Sequence, residues 1–234
     1  MMRIFSIGVS LLSLQICGCS SDALTAGAGG SAGVNSAAGG SGTAAPGGML
    51  ERAAYPEGPY GRGVGATIAN LRFLGWRDPV ASEHDPMQLE QVSLSDFYNP
   101  GGTASDVRII LLNSSAVWCA VCKAEYKHLR DSAVYAAYRP KGVEILGVLF
   151  EDSQYNPAKP SDLVVWGGSD GFDVTFPLVV DPGFKTGVYF ESDATPMNML
   201  IDATTMRIVD LTMGYDTASP KKYWQFIDSL LPSP

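Results

Sequence analysis

The stretch Trp118-Cys119-Ala120-Val121-Cys122 places two cysteines three positions apart, directly after an aromatic residue. Residues 107–112 before it form an apolar run that predicts a buried strand. Residues 123–139 after it carry apolar pairs four positions apart, which predicts a helix. The first N–H groups of that helix and its dipole would stabilise a thiolate on Cys119 and lower its pKa. The stretch therefore indicates a redox-active dithiol, whose first sulfur we expect to be half-exposed beside Trp118.

A Cys-x-x-Cys pair has two other common interpretations, a zinc site and a structural disulfide. Zinc needs about four ligands, and apart from the cysteines near the N-terminus only His84 and His128 remain. His128 follows Cys122 by six residues on the same predicted helix, too far along it to close a site easily. A disulfide over so short a loop restrains little chain entropy. We therefore expect a redox-active disulfide that works without a metal or other cofactor.

The composition is that of one globular domain with tails. The chain has 234 residues, of which 46% are hydrophobic and 17% charged, enough for one full core. Its formal net charge of −8 argues against nucleic acid or an anionic membrane surface as the main partner.

The N-terminal residues 1–19 have the pattern of a bacterial lipoprotein signal peptide. Arg3 precedes about a dozen apolar residues, too few to span a bilayer and typical of a signal sequence. The run ends in Ile16-Cys17-Gly18-Cys19, which is similar to a lipobox, and the small Gly18 identifies Cys19 as the lipidated residue. Cleavage by an ordinary signal peptidase is the alternative. This pattern predicts a protein of the cell envelope or periplasm, anchored to a membrane by lipid on Cys19, with Cys119 and Cys122 as its free thiols.

Residues 20–54 are predicted to be a flexible linker rich in Gly, Ala and Ser. Thirty such residues span about 30 Å root-mean-square. The folded domain is predicted over residues 55–234, with its core at about 105–234 and an N-terminal extension that lengthens the sheet.

Within this domain the pattern predicts further elements. Serine and proline at 219 and 220 would be the N-cap and first residue of a final helix with one apolar stripe. The predicted strands and helices, in chain order, are strands 66–76 and 143–150, a helix at 160–168, a strand at 176–181, a hairpin of 194–202 with 206–211, and the final helix with its stripe at Tyr223, Phe226, Ile227, Leu230 and Leu231.

This order of elements resembles the thioredoxin fold, a three-layer α/β/α sandwich around a central mixed sheet, here with an N-terminal β extension. Over residues 58–231 the chain looks like the TlpA-like, membrane-anchored thiol-disulfide oxidoreductases with a redoxin-like extension. The motifs behind the resemblance are Trp118 to Glu125, Phe176-Pro177 with Asp181, and Thr195-Pro196.

The resemblance implies roles for the site residues. Cys119 would be the attacking cysteine and Cys122 the resolving one. Pro196 would be a cis-proline facing the disulfide, and Thr195 would offer its backbone to a substrate chain. The implied partners are exported proteins with cysteines or disulfides and a membrane electron donor. The sequence leaves the direction of electron transfer open, and we expect a reductant.

Two positions depart from, or refine, the thioredoxin pattern. Asn113 stands where cytosolic thioredoxins have a buried aspartate, so another group must accept the proton of Cys122. Glu125 matches a Cys-x-x-Glu pattern of the anchored relatives. From the sequence it is equally a proton-transfer group or a surface acid.

Three rival functions share this fold. Peroxiredoxins place a threonine three residues before the reactive cysteine, and Ala116 occupies that position here. A copper chaperone would need a wider cysteine pair and a distant histidine. A tethered adaptor without enzymatic activity is the remaining alternative.

Overall fold

The computed structural model describes residues 53–103, 105–190 and 194–231. The predicted signal peptide, Cys19 and nearly all of the linker lie outside the described residues, so these predictions stay predictions. Across the described parts of the chain, no helix has the length and apolar character needed to cross a bilayer.

A seven-stranded mixed sheet organises the described residues. Its spatial order is β2-β1-β5-β4-β3-β6-β7. The β3–β4 and β4–β5 pairs are parallel and the other pairs antiparallel. The strands are β1 Arg72–Trp76, β2 Glu90–Ser93, β3 Ile109–Ala116, β4 Val143–Glu151, β5 Leu178–Val180, β6 Met197–Asp202 and β7 Arg207–Met213.

Side chains alternate across β3, so that each face of the sheet has its own core. Ile109 and Leu111 enter one apolar cluster, whereas Ile110 and Leu112 enter the other. The first cluster includes residues from each described α-helix. The second is covered by short 3-10 turns and by the segment before β1, including Ile68, Leu94 and Tyr189. The helices are α1 Ala120–Asp131, α2 Val134–Tyr138, α3 Pro160–Gly167 and α4 Lys221–Leu230.

The predicted fold class is confirmed. A mixed sheet lies between two covering layers, and the N-terminal extension adds β1 and β2 beside β5. The predicted strand at 143–150, the helix at 160–168 and the C-terminal hairpin are confirmed as β4, α3 and β6–β7. The strands predicted at 66–76 and 176–181 are shorter in the structure, as β1 and β5.

The prediction of one helix over residues 123–139 is wrong. The helix begins at Ala120, and the chain breaks between α1 and α2 at Ala133, whose φ of 47° is left-handed. Leu129 and Val134 are both buried in the first core cluster. Five positions apart, they would point about 140° away from each other on a continuous helix. The break lets both side chains reach the core.

The prediction for the final helix is wrong in two details. The helix begins at Lys221, and its N-cap is Pro220 and not Ser219. The backbone N–H of Ser219 donates to Asp216 (3.1 Å). Its buried face contains Trp224 and Ile227, while Phe226 is 40% exposed. The indole of Trp224 packs on the ring of Tyr138, with 4.6 Å between centroids. That contact fixes the rotation of α4.

Candidate active site

The two cysteines lie after the end of β3, at the start of α1, as predicted. Cys119 is the N-cap of α1, in an extended conformation, and its sulfur accepts the backbone N–H of Cys122 at 3.0 Å. The two residues form a disulfide, with their Cα atoms 5.3 Å apart. The first sulfur thus lies at the positive end of the helix dipole and receives one of the unpaired N–H groups of the first turn.

The expectation of a half-exposed sulfur is wrong, because Cys119 is only 3% exposed. The carbonyl oxygen of Thr195 lies 3.6 Å from the Cys119 sulfur and covers it. The partly buried residue at this surface is Trp118. Trp118 and the backbone of Thr195 therefore flank the disulfide.

The Thr195–Pro196 peptide bond is cis and faces the disulfide, which confirms the predicted geometry. The register of β6 against β3 pairs Met197 with Ser114 and so brings this loop to the cysteines. The Thr195 hydroxyl lies 3.3 Å from the Cys122 sulfur and 3.4 Å from the Ser114 carbonyl oxygen. The loop therefore touches both sulfurs of the pair.

A buried polar cluster lies behind the cysteines and includes Asn113 and Glu125. The Asn113 amide donates to Glu125 Oε2 (2.7 Å) and to Asn198 Oδ1 (2.8 Å). Asn198 donates to Glu125 Oε1 (3.0 Å), and the Ser115 hydroxyl donates to Asn113 Oδ1 (2.7 Å). Both carboxylate oxygens of Glu125 are therefore hydrogen-bonded inside the protein.

Glu125 is buried, so its interpretation as a surface acid is wrong. Burial raises the pKa of Glu125 from its ordinary 4.5 to about 7, against the opposing effect of the hydrogen bonds from Asn198 and Asn113. A carboxyl group with a pKa near neutrality can both accept and return a proton.

Glu125 and Asn198 border an open cavity of about 430 Å³. Two phenol groups, of Tyr215 and Tyr223, line the same cavity, and their hydroxyls have no hydrogen-bond partner among the described residues. The cavity connects the buried carboxyl group to solvent.

Sequence reasoning missed Asn198 and Ser115 as parts of this cluster. The available signal was a lone amide inside the apolar run of β6, two residues after Pro196. A buried polar side chain in a central strand needs a partner, and the pairing of Asn198 with Asn113 across β6 and β3 supplies it. In the described residues, no group of three or more His, Cys, Asp or Glu side chains is arranged to hold a metal.

Comparison with known sequences gives one family and two related proteins. The AhpC/TSA family matches residues 81–207. The thiol-disulfide oxidoreductase ResA of Oceanobacillus iheyensis is 37% identical over 127 residues, which cover 50% of this chain and 57% of that protein. ResA of Bacillus cereus is 26% identical over 108 residues, which cover 46% of this chain and 56% of that protein. The chain thus spans little more than half the length of these curated relatives.

Solved structures share the fold at low identity. A protein described as a thiol:disulfide interchange protein DsbE from Chlorobium tepidum superposes with a TM-score of 0.53 at 18% identity, over 71% of this chain and 96% of that one. A reduced 2-Cys peroxiredoxin from Plasmodium vivax superposes with a TM-score of 0.50 at 17% identity, over 71% of this chain and 81% of that one. At these identities the likeness establishes the thioredoxin-like fold alone.

Proposed function

The chain belongs to the AhpC/TSA family, and from that premise we propose that it is a thiol-disulfide oxidoreductase acting on the cysteines of protein substrates. The observation that carries the proposal is the Cys119–Cys122 disulfide at the N-terminus of α1, facing the Thr195-Pro196 loop. The similarity to two proteins named thiol-disulfide oxidoreductase supports it.

The proposed reaction reduces a substrate disulfide in two exchanges. The Cys119 thiolate attacks one substrate sulfur, forms a mixed disulfide and expels the other sulfur as a thiolate, which takes up a proton. Cys122 then loses its proton and attacks the Cys119 sulfur. This step closes the Cys119–Cys122 disulfide and releases the second substrate thiol. Two electrons pass to the substrate, and the enzyme pair is oxidised.

The local groups suit these steps. The N–H of Cys122 and the helix dipole favour a thiolate on Cys119. Glu125 lies three residues after Cys122 on the same face of α1, where side chains are neighbours. We assign to it the acceptance of the Cys122 proton, directly or through one water. Asn113 and Asn198 orient its carboxyl group.

A thiol peroxidase is the rival activity, because a peroxiredoxin shares the fold. The position three residues before Cys119 is Ala116, which is buried and has no hydroxyl to orient a peroxide. The test compares reduction of insulin disulfides with consumption of hydrogen peroxide, at equal enzyme and with excess dithiothreitol. We expect insulin reduction at a rate well above background. Peroxide consumption with no reduction of insulin would refute the oxidoreductase proposal.

We further propose that the protein works as a reductant in the cell envelope, fed by a membrane electron donor. Direction depends on the reduction potential of the Cys119–Cys122 pair, since ~30 mV is a tenfold change in equilibrium for two electrons. Equilibration with glutathione buffers measures it. A potential near −270 mV or lower, as in reducing members of this fold, supports the proposal, whereas one near −120 mV indicates an oxidant.

The membrane tether is proposed from the sequence alone, with lipid on Cys19. In the native host, Cys19→Ser should move the protein from the membrane fraction to the soluble one or block its maturation. Cys17→Ser is the matched control and should leave the distribution unchanged. Mass spectrometry of a mature chain that begins elsewhere would contradict the tether.

A further inference from the structure

An aromatic pair, the partly buried Trp118 and the exposed Tyr155, lies beside the disulfide and has no part in the exchange chemistry. The ring of Trp118 stacks on the ring of Tyr155, with centroids 4.9 Å apart and planes 27° apart. Tyr155 is 68% exposed, although it belongs to a large apolar residue type. The ring of Tyr155 therefore lies open to solvent, stacked on the residue that precedes Cys119 in the chain.

Hydrogen bonds fix the backbone of the loop that carries Tyr155. Tyr155 has a left-handed backbone, with φ of 64°, which is uncommon for a bulky residue and persists where its surroundings enforce it. The Asp152 carboxylate accepts the backbone N–H groups of Gln154 (2.7 Å) and Asn156 (3.0 Å). The N–H of Asp152 donates to the Asn156 carbonyl (2.8 Å), so the loop is closed on both sides of the tyrosine.

A carboxylate completes this surface. The indole N–H of Trp118 donates to Glu151 Oε2 at 2.7 Å. This hydrogen bond engages one of the two carboxylate oxygens, and the Glu151 side chain is partly exposed. An exposed aromatic ring with a partly exposed carboxylate matches a planar cation, because a guanidinium stacks on aromatic rings and donates to carboxylates. The net charge of −8 also favours a positively charged ligand.

We propose that Tyr155, Trp118 and Glu151 form a subsite for an arginine side chain close to the target cysteine of the substrate. Trp118 adjoins Cys119, and an extended chain advances about 3.3 Å per residue. An arginine one to three positions from the target cysteine therefore reaches the subsite. This inference rests on the proposed oxidoreductase function and adds a preference among its protein substrates.

The test uses three disulfide-containing peptides that are identical except at one position, two residues from the cysteine. That position carries arginine, citrulline or norleucine. Citrulline keeps the shape of arginine and removes its charge. For the wild-type protein we expect kcat/KM to favour arginine over citrulline about fivefold, equivalent to ~1 kcal/mol. The ratio should fall to about twofold in Tyr155→Ala and in Glu151→Gln, whose amide oxygen can still accept the Trp118 N–H.

Two controls bracket these variants. Tyr155→Phe keeps the aromatic face and should keep the arginine preference, as should Ser153→Ala, an exposed change in the same loop. Equal rates for arginine and citrulline in the wild type, a preference for norleucine, or an unchanged ratio in Tyr155→Ala would each overturn the subsite. Reduction of neutral bis(2-hydroxyethyl) disulfide by the wild type tests the oxidoreductase function separately. Activity there without an arginine preference refutes the subsite alone.

Discussion

We expect the Cys122→Ser variant to accumulate a covalent adduct with its protein substrate, and Cys119→Ser to lose reductase activity by about a thousandfold or more. Cys119 forms the mixed disulfide, and the Cys122 sulfur is needed to release it. The Cys119 sulfur receives the Cys122 N–H at the helix N-terminus, so it is the sulfur better placed to ionise. Non-reducing gel electrophoresis, with release of the adduct by dithiothreitol, measures the first effect. Insulin reduction measures the second.

Val121→Ser is the matched control, since it puts a hydroxyl between the cysteines at an exposed position and leaves both sulfurs in place. It should form no stable adduct. Trapping by Cys119→Ser but not by Cys122→Ser would reverse the two roles. Absence of any adduct, together with no disulfide reduction by the wild type, would favour the tethered adaptor.

The sequence predicts those parts of the fold that depend on neighbours along the chain. Apolar runs identified β4 and the hairpin, and the cysteine spacing placed the redox pair at the N-terminus of a helix. The break at Ala133 was missed because it depends on which side chains the sheet can bury. Leu129 and Val134 reach the same core cluster only through that break.

The polar cluster could be predicted only in part, because its partners are far apart in sequence. Asn113 and Glu125 stood out by motif, but their environment depends on Asn198, 85 positions after Asn113. The register between β3 and β6 sets these two amides opposite each other. No local pattern encodes that register, so the burial of Glu125 appeared only in the folded chain.

Glu125→Gln should lower the reductase rate near pH 7 by about a hundredfold, the lower end of what a proton-transfer group contributes. Glutamine fits the space of the carboxyl group but cannot accept the Cys122 proton. The wild-type rate should rise with pH around the Glu125 pKa of about 7, because only the ionised carboxylate is an acceptor. The variant should lack this rise. Single-turnover rates from pH 5 to pH 9 provide the measurement.

The same substitution should also change how stability depends on pH. The pKa of Glu125 is about 7 in the folded protein and 4.5 as its ordinary value, so between these values the folded state binds more protons. The free energy of unfolding therefore falls as pH rises from 4.5 through 7, by about 3 kcal/mol at most from this group. Glu125→Gln stays neutral throughout and should remove that part of the slope. Urea unfolding at pH 5 and pH 8 measures it.

Asp170→Asn is the control, because this exposed acid should leave the slope as in the wild type. The side chains that hydrogen-bond to Glu125 are the uncharged amides of Asn113 and Asn198. The cavity that Glu125 borders is also lined by the phenols of Tyr215 and Tyr223 and by the charged groups of Asp216 and Lys222. Asp210 lines the same cavity, and Asp210→Asn tests its share of the slope. If Glu125→Gln keeps both the wild-type slope and the wild-type rate profile, Glu125 is already ionised at pH 5. Another group must then take the Cys122 proton.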